Sequence, residues 1–164
     1  MSLQKTFPNE IVFYICALNF RTEMELRDKI ATRAGLLFIE RGVKQVTMDT
    51  IAQSLGISKR TIYENYKDKN DLLRNVLIQA TLSHKEKVVE IIKNSKNVIE
   101  ALFNFGQYNK ETFQKINPLF FEDLQKYHSD IFLQIMTNDQ VRNLEISYTL
   151  LKRGVNEGVF VKTI

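Results

Sequence analysis

Cysteine, proline and glycine are scarce in this chain, and each scarcity removes a class of answer. Cys16 is the only cysteine among 164 residues. No intrachain disulfide can form, and no Cys-x-x-Cys pair exists to hold a metal. A reducing, cytoplasmic setting is the simplest fit. Proline occurs twice, at Pro8 and Pro118, and glycine six times. So few helix breakers leave room for long, uninterrupted helices. The apolar run Ile11–Leu18 is well short of the roughly 20 residues that span a bilayer. Lys5 alone would have to supply the charged start of a signal peptide, and no small-x-small cleavage site follows cleanly. His84 and His128 stand apart from each other and from any other ligand. With no phosphate loop and no metal-ligand cluster, the chain reads as a non-enzyme without a cofactor.

What is present is an ordinary apolar share of 44% and a formal charge of +4. The first is enough for a core. The second suits an anionic partner, although the charges are well mixed and a solvated surface accounts for them equally. Residues 1–23 read as an atypical N-terminal extension. Pro8 and Asn9 make a turn, Ile11–Phe20 has no amphipathic pattern, and Met24 directly precedes the first well-patterned helix. That helix is expected from Glu25 to Arg41, with Leu26, Ile30, Ala34, Leu37 and Phe38 on one stripe and Gly42 ending it.

The most informative stretch is Thr47 to Lys69, TMDTIAQSLGISKRTIYENYKDK. Thr47 can cap a short helix carrying Met48, Ile51, Ala52 and Leu55 at helical spacing. Gly56 breaks it, Ile57 plugs the turn, and Ser58 can cap a second helix from Lys59 to about Asn65. Helix, glycine turn, helix is a helix-turn-helix pattern. Asp68 then caps a long helix to about Lys93, with Asp71 completing the cap. Ser95 is the expected cap of a following helix, Val98 to about Ile116. Asn117-Pro118 starts a short one, and a long helix is expected from Asp130 to about Asn156, its end loosened by Gly154 and Gly158. His84 is expected on a solvated helix face. The fold class is all-α with short connections.

The order T-x-x-x-I-A-x-x-L-G-I-S, then T-I-Y-x-x-Y-x-x-K entering a long helix, resembles the DNA-binding domain of the tetracycline-repressor (TetR) family of bacterial transcription regulators. The resemblance is specific over about Leu26–Leu77 and architectural beyond it. It implies a three-helix helix-turn-helix domain over residues 24–68. A helical regulatory, ligand-binding and dimerisation domain would cover 69–164. Relatives continue past the long seventh helix into two more, and on that pattern the chain is expected to lack the last two family helices.

The resemblance assigns the DNA-binding residues. Thr47 would cap its helix and meet a phosphate. Thr61 and Tyr63 would reach phosphates or bases from the recognition helix, which also carries Lys59. Lys69 would meet a phosphate at the start of the fourth helix. Arg60 departs from a family position that is often small. It is a candidate reader of guanine O6 and N7, with a solvated or phosphate-bound arginine as the alternative. Tyr66 is expected to pack with its ring and to reach the DNA backbone with its hydroxyl. Lys67 and Lys44 are generic phosphate candidates, and Glu64 is expected to be solvated.

The implied partners are double-stranded DNA bearing a palindromic operator, a second copy of the chain, and a small-molecule effector of unknown identity, with no membrane. The implied location is the cytoplasm, at the nucleoid. Phe103, Tyr108, Phe120, Phe121, Tyr127, Phe132, Met136 and Tyr148 are the candidates to line an effector pocket, against the alternative that they are plain core. The function expected is that of a sequence-specific regulator, a repressor released by its effector. The alternatives are a DNA-binding helical protein without ligand control, and a protein-interaction module that does not bind DNA.

Overall fold

The computed structural model describes residues 26–137 and 144–161, apart from the side chains of Met136, Leu144 and Glu145. The expected extension 1–23 therefore lies outside the described residues. The described residues form eight helices and no strand. These are α1 (Leu26–Arg41), α2 (Met48–Leu55), α3 (Lys59–Asn65), α4 (Lys69–Asn94), α5 (Val98–Gln114), α6 (Pro118–Tyr127), α7 (Ser129–Thr137) and α8 (Leu144–Asn156). The helix expected from Asp130 to Asn156 is described as α7 and α8, on either side of residues 138–143. Among the described residues no helix is long and apolar enough to cross a membrane.

Local chemistry sets most of the boundaries. The Thr47, Ser58 and Asp68 side chains accept from the amides of Thr50, Thr61 and Asp71. Each takes up one amide that its helix leaves without an internal partner. Asp71 reaches back to the amide of Lys67 at 3.1 Å, one residue before the cap. Gly42 and Gly56 lie in the left-handed region, at φ 81° and 67°, where a Cβ is penalised. Asn117 caps α6 and Pro118 opens it.

One expected cap is corrected. Asn97, not Ser95, caps α5, accepting from the Glu100 amide. Ser95 ends α4 instead and turns its Oγ back to the Ile91 carbonyl at 2.7 Å. A second correction concerns Gly154, expected to loosen its helix. A Cβ there would lie 2.0 Å from the Phe160 ring, so the glycine is a seat for that ring. Gly158, at φ 72°, does turn the chain out of α8.

Two apolar cores lie along α4, which at about 1.5 Å per residue is long enough to serve both. The first joins Ile30, Leu37 and Phe38 of α1 to Ile51 of α2, Ile62 of α3, and Leu72 and Leu73 of α4. It continues into Phe120 and Leu124 of α6 and Ile131 and Ile135 of α7. The second joins Val88 and Ile92 of α4 to Val98 and Ala101 of α5 and Ile146 and Leu150 of α8. The packing of the helix-turn-helix unit thus runs across residue 68 into the body.

The second core is tied by one ion pair. Arg153 donates to the carbonyls of Ile92 and Ser95, both at 2.7 Å, and to Glu157 at 2.6 Å. Glu157 in turn accepts the first amide of α5, from Val98, at 2.6 Å. That amide, and then Arg153, hold the Glu157 carboxyl below its usual range.

Candidate nucleic-acid interface

α3 is seven residues long, too short to be stable alone. It holds its shape because Ile62 is fully buried in the first core. Its outer face then presents Lys59, Arg60, Tyr63 and Glu64 to solvent, with Thr61 half-buried beside its cap. The C-terminal end of α3 is fastened by Arg27 of α1. This guanidinium donates to the Asn65 carbonyl at 2.9 Å and lies 4.6 Å from the centre of the Tyr66 ring. Arg27 reads in sequence only as a charge off the apolar stripe. A pairing across 38 residues leaves no local signal.

The exposed cations of α3 already have partners. Lys59 is bonded to Asp49 of α2 at 2.7 Å, and that bond raises its pKa. Arg60 pairs with Glu64 at 3.0 Å while its side chain stays 89% exposed. Glu64 is exposed, as expected, and is also the local partner of Arg60. Such exposed pairs are weak, about 0.3–0.5 kcal/mol along a helix, so a phosphate or a base can displace them. Thr47 is exposed at the start of α2, its hydroxyl hydrogen-bonded to that of Thr50 at 2.9 Å. Lys67 is exposed just before α4.

One expected contact sits differently. Tyr66 is 1% exposed. Its hydroxyl lies 3.0 Å from the Arg27 carbonyl and 3.1 Å from Asn75 Oδ1, and donates inward. The ring packs as expected, but the hydroxyl does not reach outward towards a DNA backbone. Burial pushes its pKa up to about 12. Tyr66→Phe is expected to cost about 1 kcal/mol in unfolding free energy, the net worth of one hydrogen bond, and to leave DNA affinity unchanged. Denaturant unfolding and a duplex titration check both halves. Alkali adds a signature. The folded pKa exceeds the unfolded value near 10, so stability holds below pH 10 and falls as pH rises towards 12. The phenylalanine variant should lose part of that fall.

Lys69 is half-buried at the first position of α4. Burial lowers its pKa, and the carboxylate of Asp123 in α6 opposes that shift. The Lys44 ammonium lies 3.2 Å from the Tyr127 hydroxyl and 4.9 Å from its ring centre. That contact lowers the Tyr127 pKa.

The aromatic candidates do not gather around one cavity. Phe120 is core, with Phe121 and Phe132 packed against it, and Tyr108 packs against the second core. Tyr127 is bound to Lys44 at the surface, while Phe103 and Tyr148 are 63% and 67% exposed. The Met136 side chain lies outside the described residues. Phe120, Phe121, Phe132 and Tyr108 go to apolar packing, and Phe103, Tyr127 and Tyr148 to the surface. An open groove of about 350 Å³ does run between α4 and α5, lined by Glu90, Asn94, Asn104, Gln107, Tyr108 and Glu111 among others. His84 is not on a solvated face: it is half-buried, 2.9 Å from Asn109 Oδ1 and 5.2 Å from the Tyr108 ring centre.

Residues 30–76 match a family model described as bacterial regulatory proteins, tetR family. An HTH-type transcriptional regulator of Staphylococcus aureus (strain USA300) is 30% identical over 125 residues, covering 66% of this chain and 68% of that one. A regulator of the same description from S. aureus (strain MRSA252) is 30% identical over 84 residues, covering 49% of this chain and 45% of that one. Among solved structures, the fatty acid degradation regulator FadR from Bacillus halodurans superposes with TM-score 0.64 at 19% identity, over 88% of this chain and 76% of that one. A ketosteroid transcriptional regulator of Mycobacterium tuberculosis superposes with TM-score 0.50 at 18% identity, over 87% and 74%. Both likenesses are of fold.

Proposed function

This chain belongs to the TetR family of bacterial regulatory proteins and is a DNA-binding transcriptional regulator; from that premise we propose that it is a homodimeric repressor, released from a palindromic operator by a small-molecule effector. The observation that carries the DNA-binding half is α3, anchored through Ile62 with Lys59, Arg60 and Tyr63 turned outward. A single short helix reads too few bases to be selective, and units of this kind act in pairs on two half-sites. Thr47, Lys67 and Lys69 are the phosphate contacts in this reading, joined by Thr61 and Tyr63 at phosphates or bases. Tyr66 belongs to the core.

Selection of bound duplexes from a random pool tests the reading. An enriched inverted repeat supports it; an enriched single half-site, or no enrichment, sinks the paired form. Arg60 is the residue we assign to base readout. Arg60→Ala is expected to flatten the preference at one base pair of each half-site by roughly 1–3 kcal/mol. If the selected motif is unchanged by that substitution, Arg60 is a phosphate or solvent residue instead.

The effector half rests on family membership. The groove between α4 and α5 is our candidate for its site, since about 350 Å³ falls within the range of small-molecule pockets. Its carboxylates and amides favour a polar molecule over the apolar one that the aromatic content suggests. The packing of Phe120, Phe121 and Phe132 into core favours a second reading, DNA binding without ligand control. In the proposed role the protein performs no catalysis and works in the cytoplasm, at the nucleoid.

A further inference from the structure

We propose that Asp123, on α6 of the body, is a positioning residue for DNA binding: it fixes how the helix-turn-helix unit is seated on the body. Asp123 is 8% exposed. Its Oδ2 accepts the backbone amide of Lys44 at 2.7 Å, across 79 residues of sequence. Lys44 lies in the loop between α1 and α2, three residues before the cap of α2. The charge of the same carboxylate also acts on Lys69, the first residue of α4, opposing the fall in its pKa that burial causes. One buried group on the body therefore holds the segment that leads into α2 by a direct hydrogen bond.

The loop is shaped around this carboxylate. Gly42 holds φ 81°, and a Cβ there would lie 2.8 Å from Asp123 Oδ2 and 3.1 Å from the Leu119 Cβ. Asn117, the N-cap of α6, strengthens the seat. Its amide donates to the Ile39 carbonyl and its side chain to the Glu40 carbonyl, each at 3.0 Å. Those carbonyls end α1, where the helix leaves them without internal partners. Hydrogen bonds to the backbone of the DNA-binding unit thus fasten it to α6, beside the packing of Phe120 and Leu124 in the first core. Apolar contacts tolerate sliding; hydrogen bonds to fixed amides and carbonyls set an orientation.

The proposal rests on the paired-unit reading, because orientation matters when two units must meet two half-sites together. The test uses the full chain and two duplexes: the inverted repeat returned by selection, and the same duplex with one half-site scrambled. Asp123→Ala leaves the Lys44 amide unpaired. It is expected to weaken binding to the inverted repeat about tenfold, while binding to the scrambled duplex stays within about twofold of wild type. Asp123→Asn keeps an acceptor for that amide and should restore most of the loss. Should the alanine variant fail to fold, Asp123→Ser carries the same expectation, since its hydroxyl is too short to reach the amide.

Equal weakening on both duplexes, or a lowered melting temperature with unchanged affinities, would make Asp123 a stability residue only and overturn the proposal. Failure of the asparagine variant to recover binding would also overturn it. A wild-type protein that binds the two duplexes equally would remove the paired-unit premise, and the proposal with it. That result appears in the wild type alone, so it is distinguishable from failure of Asp123 in the variants.

Discussion

Ile62→Ala is expected to lower the unfolding free energy by about 2–5 kcal/mol and to abolish selective DNA binding. Ile62 is 0% exposed and is the residue by which α3 enters the first core. The helix is seven residues long, and a helix of that length gains almost nothing from its own hydrogen bonds once nucleation is counted. Its order comes from the apolar contact beneath it and from the ties at its ends, Ser58 at one and Arg27 at the other. Truncating the side chain leaves a cavity that the ties cannot close. Lys59, Arg60 and Tyr63 then remain on the chain without a fixed spacing. Amide hydrogen exchange separates this from general loosening. Protection should fall in residues 59–66 more than in the middle of α4, where local opening is independent. Ile62→Val, a smaller deletion worth about 0.5–1.5 kcal/mol, should keep the motif and lose only part of the stability. Native affinity in the alanine variant would show that α3 does not depend on this anchor.

The contrast between Ile62 and the residues around it marks what sequence can carry. Thr47, Ser58, Asp68 and Asn117 are legible as caps because a cap is made within three residues of itself, and spacing alone reveals it. Ser95 reads as the cap of the helix that starts at Val98, although Asn97 stands directly before its first residue. The structure settles it by giving Ser95 to the helix before and Asn97 to the helix after. Gly56 and Gly42 are legible because a left-handed turn strongly favours glycine.

Partners across the fold are not legible in this way. Arg27 with Asn65, Asp123 with Lys44, and Arg153 with Ile92 and Ser95 are separated by 38, 79, 61 and 58 residues. Each looks like an ordinary surface charge until the helices are packed. The aromatics of the body show the complementary limit. Their spacing says which rings share a helix face, but a cavity and a filled core have the same periodicity. Phe120 went to the core and Tyr127 to a surface contact with Lys44. Tyr66 shows the same limit in a single side chain: ring burial follows from the pattern, while the inward turn of its hydroxyl depends on Asn75 of α4 and on the Arg27 carbonyl of α1.

Gly42→Val is expected to cost about 2–5 kcal/mol, from two causes that add. The first is conformational. At φ 81° an L-residue is strained by roughly 1–2 kcal/mol, and a β-branched one by more. The second is a displaced partner. The new Cβ would lie 2.8 Å from Asp123 Oδ2, so the carboxylate must leave or the loop must lift. Either movement breaks the bond to the Lys44 amide, leaving buried or partly buried polar groups unpaired at about 1–3 kcal/mol. The Leu119 Cβ, 3.1 Å away and fixed to the α6 backbone, offers little room to yield. Denaturant unfolding measures the total, and a Gly42→Ala variant keeps a Cβ but removes the β-branch. Combining Gly42→Val with Asp123→Ala separates the causes. If the displaced carboxylate matters, the double variant loses less than the sum of the two single losses. Strict additivity would assign the whole penalty to backbone strain, and Asp123 would then owe nothing to the shape of the loop it holds.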